Sequence, residues 1–523
     1  FNLLNPQEQA LFARLGVFVG VFSLEAAAAV DESQEAEADC LACLLALVDK
    51  NMVEMVETAD VSESVHFRLL QTLREYAYQE LIQRDELAIT QNRHAHYYLS
   101  LAKAAAAHYE GPTLSVWLHR LQTAHDNFQA ALAWCLQDPH NISTGLALAV
   151  ALTPFWELRN HLTTGQRWLS QLLAAGDESP ARLQAAVYRA IGQLAYFQQD
   201  YAKAEAHLKT SLALWQSLAE VDDLEIVSTL ALLGRTAWAQ EAYEAARTYY
   251  EQTQRIRQQM DEPQYGAQML YYLGLWEQHQ GRYEQANHAY EQSLARSRLS
   301  GNQLGMLSTL NSMGTTAQET GQYTIARARL GESLGIARAL NNKQSMAMVI
   351  GNLGNVAWAE GELAEARGYY EKGLLLAREV KSRTFTAMSL FGLGTIALLG
   401  GDDAAVGEPV RKALALWHEL NNKRLLIRTL DVFALLFCRQ GQPEAALNLL
   451  GYAETLRETG AAPPRSPAFQ PLYEQALALA RTELDMAEMS ASREHGRSLS
   501  QAEVVALATA VSLLLPLNNK SNT

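Results

Sequence analysis

The feature that most constrains this chain is a glycine that returns every 40 residues. With Gly354 as the anchor, the same position is held by Gly192, Gly234, Gly274, Gly314, Gly394 and finally Ala434; the spacing is 42 once and 40 five times. Seven residues after the last five anchors comes a second glycine, at Gly281, Gly321, Gly361, Gly401 and Gly441. Twelve after each anchor stands a small residue: Ala204, Ala246, Ala286, Ala326, Ala366, Val406 or Ala446. Sixteen after it stands Leu208, Tyr250, Tyr290, Leu330, Tyr370, Val410 or Leu450. Seven units with these shared positions imply stacked helical pairs. The anchor lets two antiparallel helices cross closely, the small residue answers it on the second helix, and the second glycine supplies the left-handed residue that ends the first. One pair alone leaves an apolar face wet. The next pair covers it, so stability is a nearest-neighbour sum.

The pattern L-G-x2-A followed by A-x3-Y/L resembles the tetratricopeptide repeat from roughly Ala185 to Arg457. It departs in period, 40 here against about 34, and in lacking the usual terminal proline. The surplus is expected in longer helices and in the inter-repeat loops GNQLG, NNKQS and NNKRL. The expected fold is mainly α: a right-handed tetratricopeptide-like solenoid preceded by a small winged-helix domain. The expected divisions are 1–85 for the winged helix and 86–180 for a helical linker and N-terminal cap. About seven repeats follow at 181–460, then a C-terminal helical cap and tail at 461–523.

Within 1–85, Asn5–Leu15 reads as a helix, Val17–Phe22 as a β-prone run, and Ser23 as the cap of LEAAAAV. A third helix starts at Asp39, MVEMVE and VHFRLL form a hairpin, and TLREYAYQELIQ closes the module. That order suggests DNA binding, but charge opposes it. Five cations (Arg14, Lys50, Arg68, Arg74, Arg84) face fifteen acids, and the candidate recognition helix carries only Lys50. The whole chain, at −15, is unsuited to nucleic acid or an anionic membrane. Its longest apolar runs, Leu146–Thr153 and Val504–Leu515, fall short of a bilayer span. Four cysteines, Cys40, Cys43, Cys135 and Cys438, are too few for a disulfide scaffold, so a cytoplasmic location is expected. The chain opens on Phe1, mid-pattern, and is expected to be a piece of something longer.

LFARLGVFVGVFSLEAAAAV, LLALVDKNMV and FRLLQTLREYAYQEL resemble the winged helix of the STAND signal-transduction ATPases, the MalT/AfsR-like and NB-ARC-type group that includes LuxR-family regulators. HAHYYLSLAKAA, WLHRLQTAHDNFQAALAWCLQ and FWELRNHLTTGQRWLSQLL resemble that family's linker. GYAETLRETGAAPP and LARTELDMAEMSASREHGRSLSQAEVVALA resemble its closing segment. The resemblance implies a nucleotide-binding domain upstream, a winged helix packed on it, and repeats that sense an inducer or partner. This chain has no G-x4-GK[ST] loop, so any ATP or ADP would belong to that upstream domain and no cofactor is expected here. Where some relatives place a nucleotide-touching Met-His-Asp triplet, Leu69, Leu70 and Gln71 stand.

No catalytic or metal constellation is expected. Cys40 and Cys43 lie a helical turn apart and no second pair completes a zinc site, so burial as small hydrophobes is the better reading. His94, His96, His108, His119 and His125 mix with Tyr and Gln on helices and read as structural or solvated. Three prolines, Pro463, Pro464 and Pro467, break the array before two further helices, at about Phe469–Met489 and Ser500–Leu515, and a frayed tail. Binding residues are expected on the first helix of each pair, which lines the concave side in the tetratricopeptide fold. The outward positions lie six and three before the anchor, and one, four and five after it. They give Arg189, Gln193, Tyr196 and Phe197; Arg235 and Trp238; Tyr271 and Gln278; Asn311 and Gln318; Asn355 and Trp358; Phe391; and Arg428, Asp431 and Arg439. Aromatic and arginine side chains anchor partners, and amides bond a peptide backbone.

The expected function is a non-enzymatic sensor fragment of a STAND-type ATPase. It would bind a protein, peptide or small-molecule signal in that groove and relay it through the winged helix to the upstream nucleotide-binding domain. The alternative is a free-standing scaffold for protein–protein interaction.

Overall fold

The computed structural model describes residues 1, 3–31, 37–56, 65–109, 111–176, 179–219, 223–240, 242–258, 266–420, 422–459, 465 and 469–511. The hairpin tip at 57–64, the three prolines and the tail lie outside these residues. The chain divides into two compact units. The first holds Phe1–Trp238, Tyr243–Met269 and Ala295–Gly305; the second holds Ala239–Ala242, Leu270–Leu294 and Met306–Thr523.

The first unit begins with helix Pro6–Leu15, closed by a reciprocal capping box between Asn5 and Glu8. Helices Leu24–Val30 and Glu37–Asp49 follow, the former capped by Ser23. Strands Val21–Ser23, Glu54–Val56 and His66–Arg68 form an antiparallel sheet in which the third lies between the other two. The first strand is shorter than the β-prone run suggested, and Gln71–Gln83 closes the module. Lys50, the cation that follows the third helix in the sequence, pairs with Glu8 at 2.5 Å.

The module is joined to the linker through buried side chains. Asn127, fully buried, accepts from Val19 N at 2.7 Å and donates to Val21 O at 2.8 Å. Phe18 stacks on Phe22 at 4.5 Å and tilts against His94 at 5.2 Å, and Tyr98 meets His94 and Phe128. Arg14 bonds both Asp31 and Glu86. His94 Nε2 lies 3.5 Å from Asn127 Oδ1, and burial pushes the imidazole down to about 4. The folded ring therefore stays neutral while the unfolded one protonates near pH 6.5. Stability from this group is complete above pH 6.5 and is lost as pH falls towards 4. The loss reaches about 3 kcal/mol, and urea titrations at several pH values should show it for the wild type and not for His94→Leu. An unchanged slope in the variant would assign the loss elsewhere.

The linker continues as Leu87–Ala106, Leu114–Thr123, His125–Cys135, Ile142–Leu158 and Leu162–Ala175. The last two cross as a degenerate pair: a Cβ on Gly165 would meet the Trp156 ring under 3.0 Å away. In the regular repeats both helices are typically 17 residues long, as in Lys343–Ala359 and Leu363–Glu379, with three-residue connectors. The surplus over the usual period is thus in the helices, not in long loops. The loop asparagines act as caps: Asn302, Asn342 and Asn422 accept from the amides of Gly305, Ser345 and Leu425. Every anchor glycine is pressed by the residue sixteen further on. A Cβ at Gly192, Gly234, Gly274, Gly314, Gly354 or Gly394 would come under 3.0 Å from Leu208, Tyr250, Tyr290, Leu330, Tyr370 or Val410. All five turn glycines have positive φ, 72–84°, and in the first repeat Gln199 takes that conformation instead, at 66°.

In the second unit the sixth repeat departs from the pattern. Its second helix starts only at Gly407, after a 3-10 turn at Asp403–Ala405, because Pro409 must sit in the first turn. The single helix expected around Phe469–Met489 is two, Gln470–Glu483 and Met486–Ser498. Asp485 breaks it by capping Ala487 and Glu488, whose carboxylate answers the Asp485 amide. Helix Met486–Ser498 packs backbone to backbone on Pro443–Glu458, with Gly451 against the Arg493 carbonyl and Gly496 against the Asn448 carbonyl. Among the described residues no helix is long and apolar enough to cross a membrane.

Candidate functional site: the outward face of the first helices

Neighbouring first helices are tied by two recurrent contacts. In one, the residue three before an anchor meets the residue two before the next. Asn352 Nδ2 donates to Asn311 Oδ1 at 2.8 Å, and the Ser312 hydroxyl donates to Tyr271 Oη at 3.5 Å. In the other, the residue four after an anchor meets the residue one after the next. Gln278 Nε2 donates to Thr315 Oγ1 at 3.5 Å, and also to Glu319 at 3.1 Å. The tyrosine sixteen after the anchor steadies these amides from behind. Tyr290 Oη donates to Gln278 Oε1 at 2.8 Å, and Tyr370 Oη donates to Asn355 Oδ1 at 2.8 Å. Gln318 is half-buried at the register position of Gln278. All of these residues belong to the second unit.

The first unit repeats the second type of contact with charge in it. Gln193 Nε2 donates to Glu157 Oε2 at 2.6 Å, and the Arg235 guanidinium lies 4.6 Å from the Tyr196 ring centre and 5.4 Å from that of Phe197. Burial raises the Glu157 carboxyl to about 7, with Arg235 and Gln193 pulling the other way. Glu157 is thus poised between neutral and charged at physiological pH. Arg189 pairs with Glu225 at 2.9 Å, and Trp238 packs edge-on against Tyr243. Glu157, Ser312, Thr315, Glu319 and Asn352 were not among the expected residues. Glu157 was within reach: twelve before Gly165 is Thr153, and four after that is Glu157, the register position of Tyr196 and Trp238.

At the far end of the second unit the same face is covered by the chain itself. Phe469, only 3% exposed, meets Trp358 edge-on at 5.2 Å and stacks on Phe391 at 5.8 Å. Arg428 lies over the Phe469 ring at 5.7 Å. Asp431, fully buried, is gripped by Arg457 at 2.7 Å and Arg465 at 3.1 Å. Arg439 bonds the Leu398 carbonyl and Asp403.

Cys40 is buried, Cys43 half-buried, and neither forms a disulfide. His108 stacks on Trp117 at 4.6 Å, and His125 on His161 at 4.7 Å. Among the described residues no group of three His, Cys, Asp or Glu could hold a metal ion.

Residues 183–259 and 267–339 match the tetratricopeptide repeat family, as do residues 346–380 under a second description of the same repeat. Proteins of Mycobacterium tuberculosis and Mycobacterium bovis, named provisionally as HTH-type transcriptional regulators, are 36% identical over 172 residues. That match spans 33% of this chain and only 19% of each relative. Among solved structures, a Rap protein complexed with competence and sporulation factor aligns at TM-score 0.46 and 15% identity, over 68% of this chain and 99% of its own. The STAND protein with a tetratricopeptide repeat sensor from Pyrococcus horikoshii aligns at TM-score 0.46 and 14% identity, over 88% of this chain and 65% of its own. The fold is mainly α, and its regular array carries tetratricopeptide repeats.

Proposed function

We propose that this chain is the non-enzymatic sensor part of a STAND-type signalling protein, and that its repeats bind an extended peptide along the first helices. The observation that carries the reading is the amide pair Asn311–Asn352, with Asn355 and Gln278 held alongside by tyrosine hydroxyls. Side-chain amides offer both a donor and an acceptor, which is what a peptide backbone needs, and side chains already fixed lose little entropy on binding. The module at 1–85 has the element order of a winged helix, and its packing through Asn127 and His94 offers a route for the signal. The partial likeness to proteins named as regulators supports the same reading.

A random peptide display library panned on the chain should yield binders whose affinity falls roughly tenfold in Asn352→Ala. ATP titrated into the same protein should give no binding heat. Peptide binding that ignores Asn352 and Asn311, or micromolar ATP binding, would sink the proposal.

A further inference from the structure

The outward face of repeat seven carries an unmet positive charge. Arg424, Arg428, Arg457 and Arg465 gather around two carboxylates, Asp431 and Glu319. Asp431 is shared by Arg457 and Arg465, and Glu319 reaches Arg424 only at 4.0 Å. Glu454, the next carboxylate, is already held by Arg493 at 2.5 Å and Arg497 at 3.6 Å. Two nitrogens of Arg457, Nε and Nη1, are buried without a hydrogen-bond partner. Arg428 has no ion pair and no hydrogen bond among the described residues; its guanidinium only faces the Phe469 ring. Burial and the neighbouring Arg424 pull its pKa down to about 10, against the opposing pull of Glu319 and Asp431.

Leaving a guanidinium buried and unpaired is costly. In a chain of net charge −15, four arginines gathered around two carboxylates are not a general basic surface. The excess is two charges, and the free donors lie on planar forks that suit an oxyanion. A phosphate carries about −1.5 to −2 near neutral pH and accepts through three oxygens. A monocarboxylate would leave one charge unmatched. We propose that the arginine cluster of repeat seven is a binding site for a phosphate dianion, either free or as a monoester. The anion supplies the counter-charge that Arg428 and Arg457 lack, and it fixes the position of Arg424 and Arg428 on the helix Lys423–Arg439. This site stands independently of peptide binding at the Asn311–Asn352 pair.

The test is a thermal melt of the chain at constant ionic strength with inorganic phosphate, phenyl phosphate or acetate. Phosphate should raise the melting temperature saturably, and acetate should not. Tighter binding of phenyl phosphate assigns the site to a monoester; equal binding assigns it to the free anion. Arg428→Gln should bind phosphate about tenfold more weakly and, without phosphate, melt no lower than the wild type, because it removes an unpaired charge. Arg367→Gln, at an exposed arginine of repeat five, should bind like the wild type. If Arg428→Gln does not fold, Arg424→Gln gives the same readout. The proposal fails if acetate stabilises as well as phosphate, if no saturable rise occurs, or if both arginine variants keep full affinity.

Discussion

Replacing Asp431 by alanine is expected to destabilise the C-terminal end of the array by about 3–5 kcal/mol, the range for breaking a buried ion pair from one side. Asp431 has no solvent exposure, while Arg457 and Arg465 retain only 12% and 11% side-chain exposure. The carboxylate is therefore the one counter-charge that these two nearly buried guanidiniums share. Arg465 is further fixed by Tyr473, whose ring centre lies 3.6 Å from the guanidinium carbon. Asp431 links helix Lys423–Arg439 to Pro443–Glu458 and to the segment that precedes Gln470–Glu483. Because a repeat array unfolds by neighbours, the loss should appear first as faster amide exchange in these helices and then as a lower urea midpoint. Asp431→Asn keeps one acceptor and should fall between the two. A midpoint unchanged in Asp431→Ala would mean that the arginines reach solvent and the pair is not structural.

The periodic part of this architecture could be read directly because a fixed spacing encodes a fixed contact. The anchor glycines predict helix crossings, and the structure puts Leu208, Tyr250, Tyr290, Leu330, Tyr370 and Val410 against them. The outward positions could be assigned one helix at a time, but not their pairing. Asn311 meets Asn352 at an offset of 41, Gln278 meets Thr315 at 37, and Gln193 meets Glu157 at 36. These offsets depend on how neighbouring helices are staggered and rotated, which the anchor spacing does not specify. Nor does any period mark where a non-repeating segment lands. Arg465 and Phe469 follow the last repeat, and only coordinates place them on Asp431, Trp358 and Phe391. The break at Asp485 was a missed local signal, since D-M-A-E before a helix is a capping box in plain sequence.

Phe469→Ala is expected to cost about 3–5 kcal/mol as well, by a different mechanism: an aromatic ring leaves a packed site that cannot fully collapse. The ring touches two aromatic side chains at outward positions of repeats five and six, and an arginine of repeat seven. It is in effect a built-in occupant of that face, and its loss leaves Trp358 and Phe391 with one side uncovered. Stability alone would not distinguish this from any other core truncation. Trp358 does, because its indole should become accessible to a soluble quencher. Nine tryptophans are present, so the quenching of Phe469→Ala must be compared with that of Phe469→Ala/Trp358→Phe. The difference should show an exposed indole, whereas the wild type compared with Trp358→Phe should show a shielded one. A double-mutant cycle between Phe469 and Trp358 should return a coupling of about 0.5–1.5 kcal/mol, the usual worth of an aromatic pair beyond its buried area. Zero coupling together with unchanged quenching would mean that Phe469 does not cover this face in solution, and Trp358 and Phe391 would then be open to a ligand.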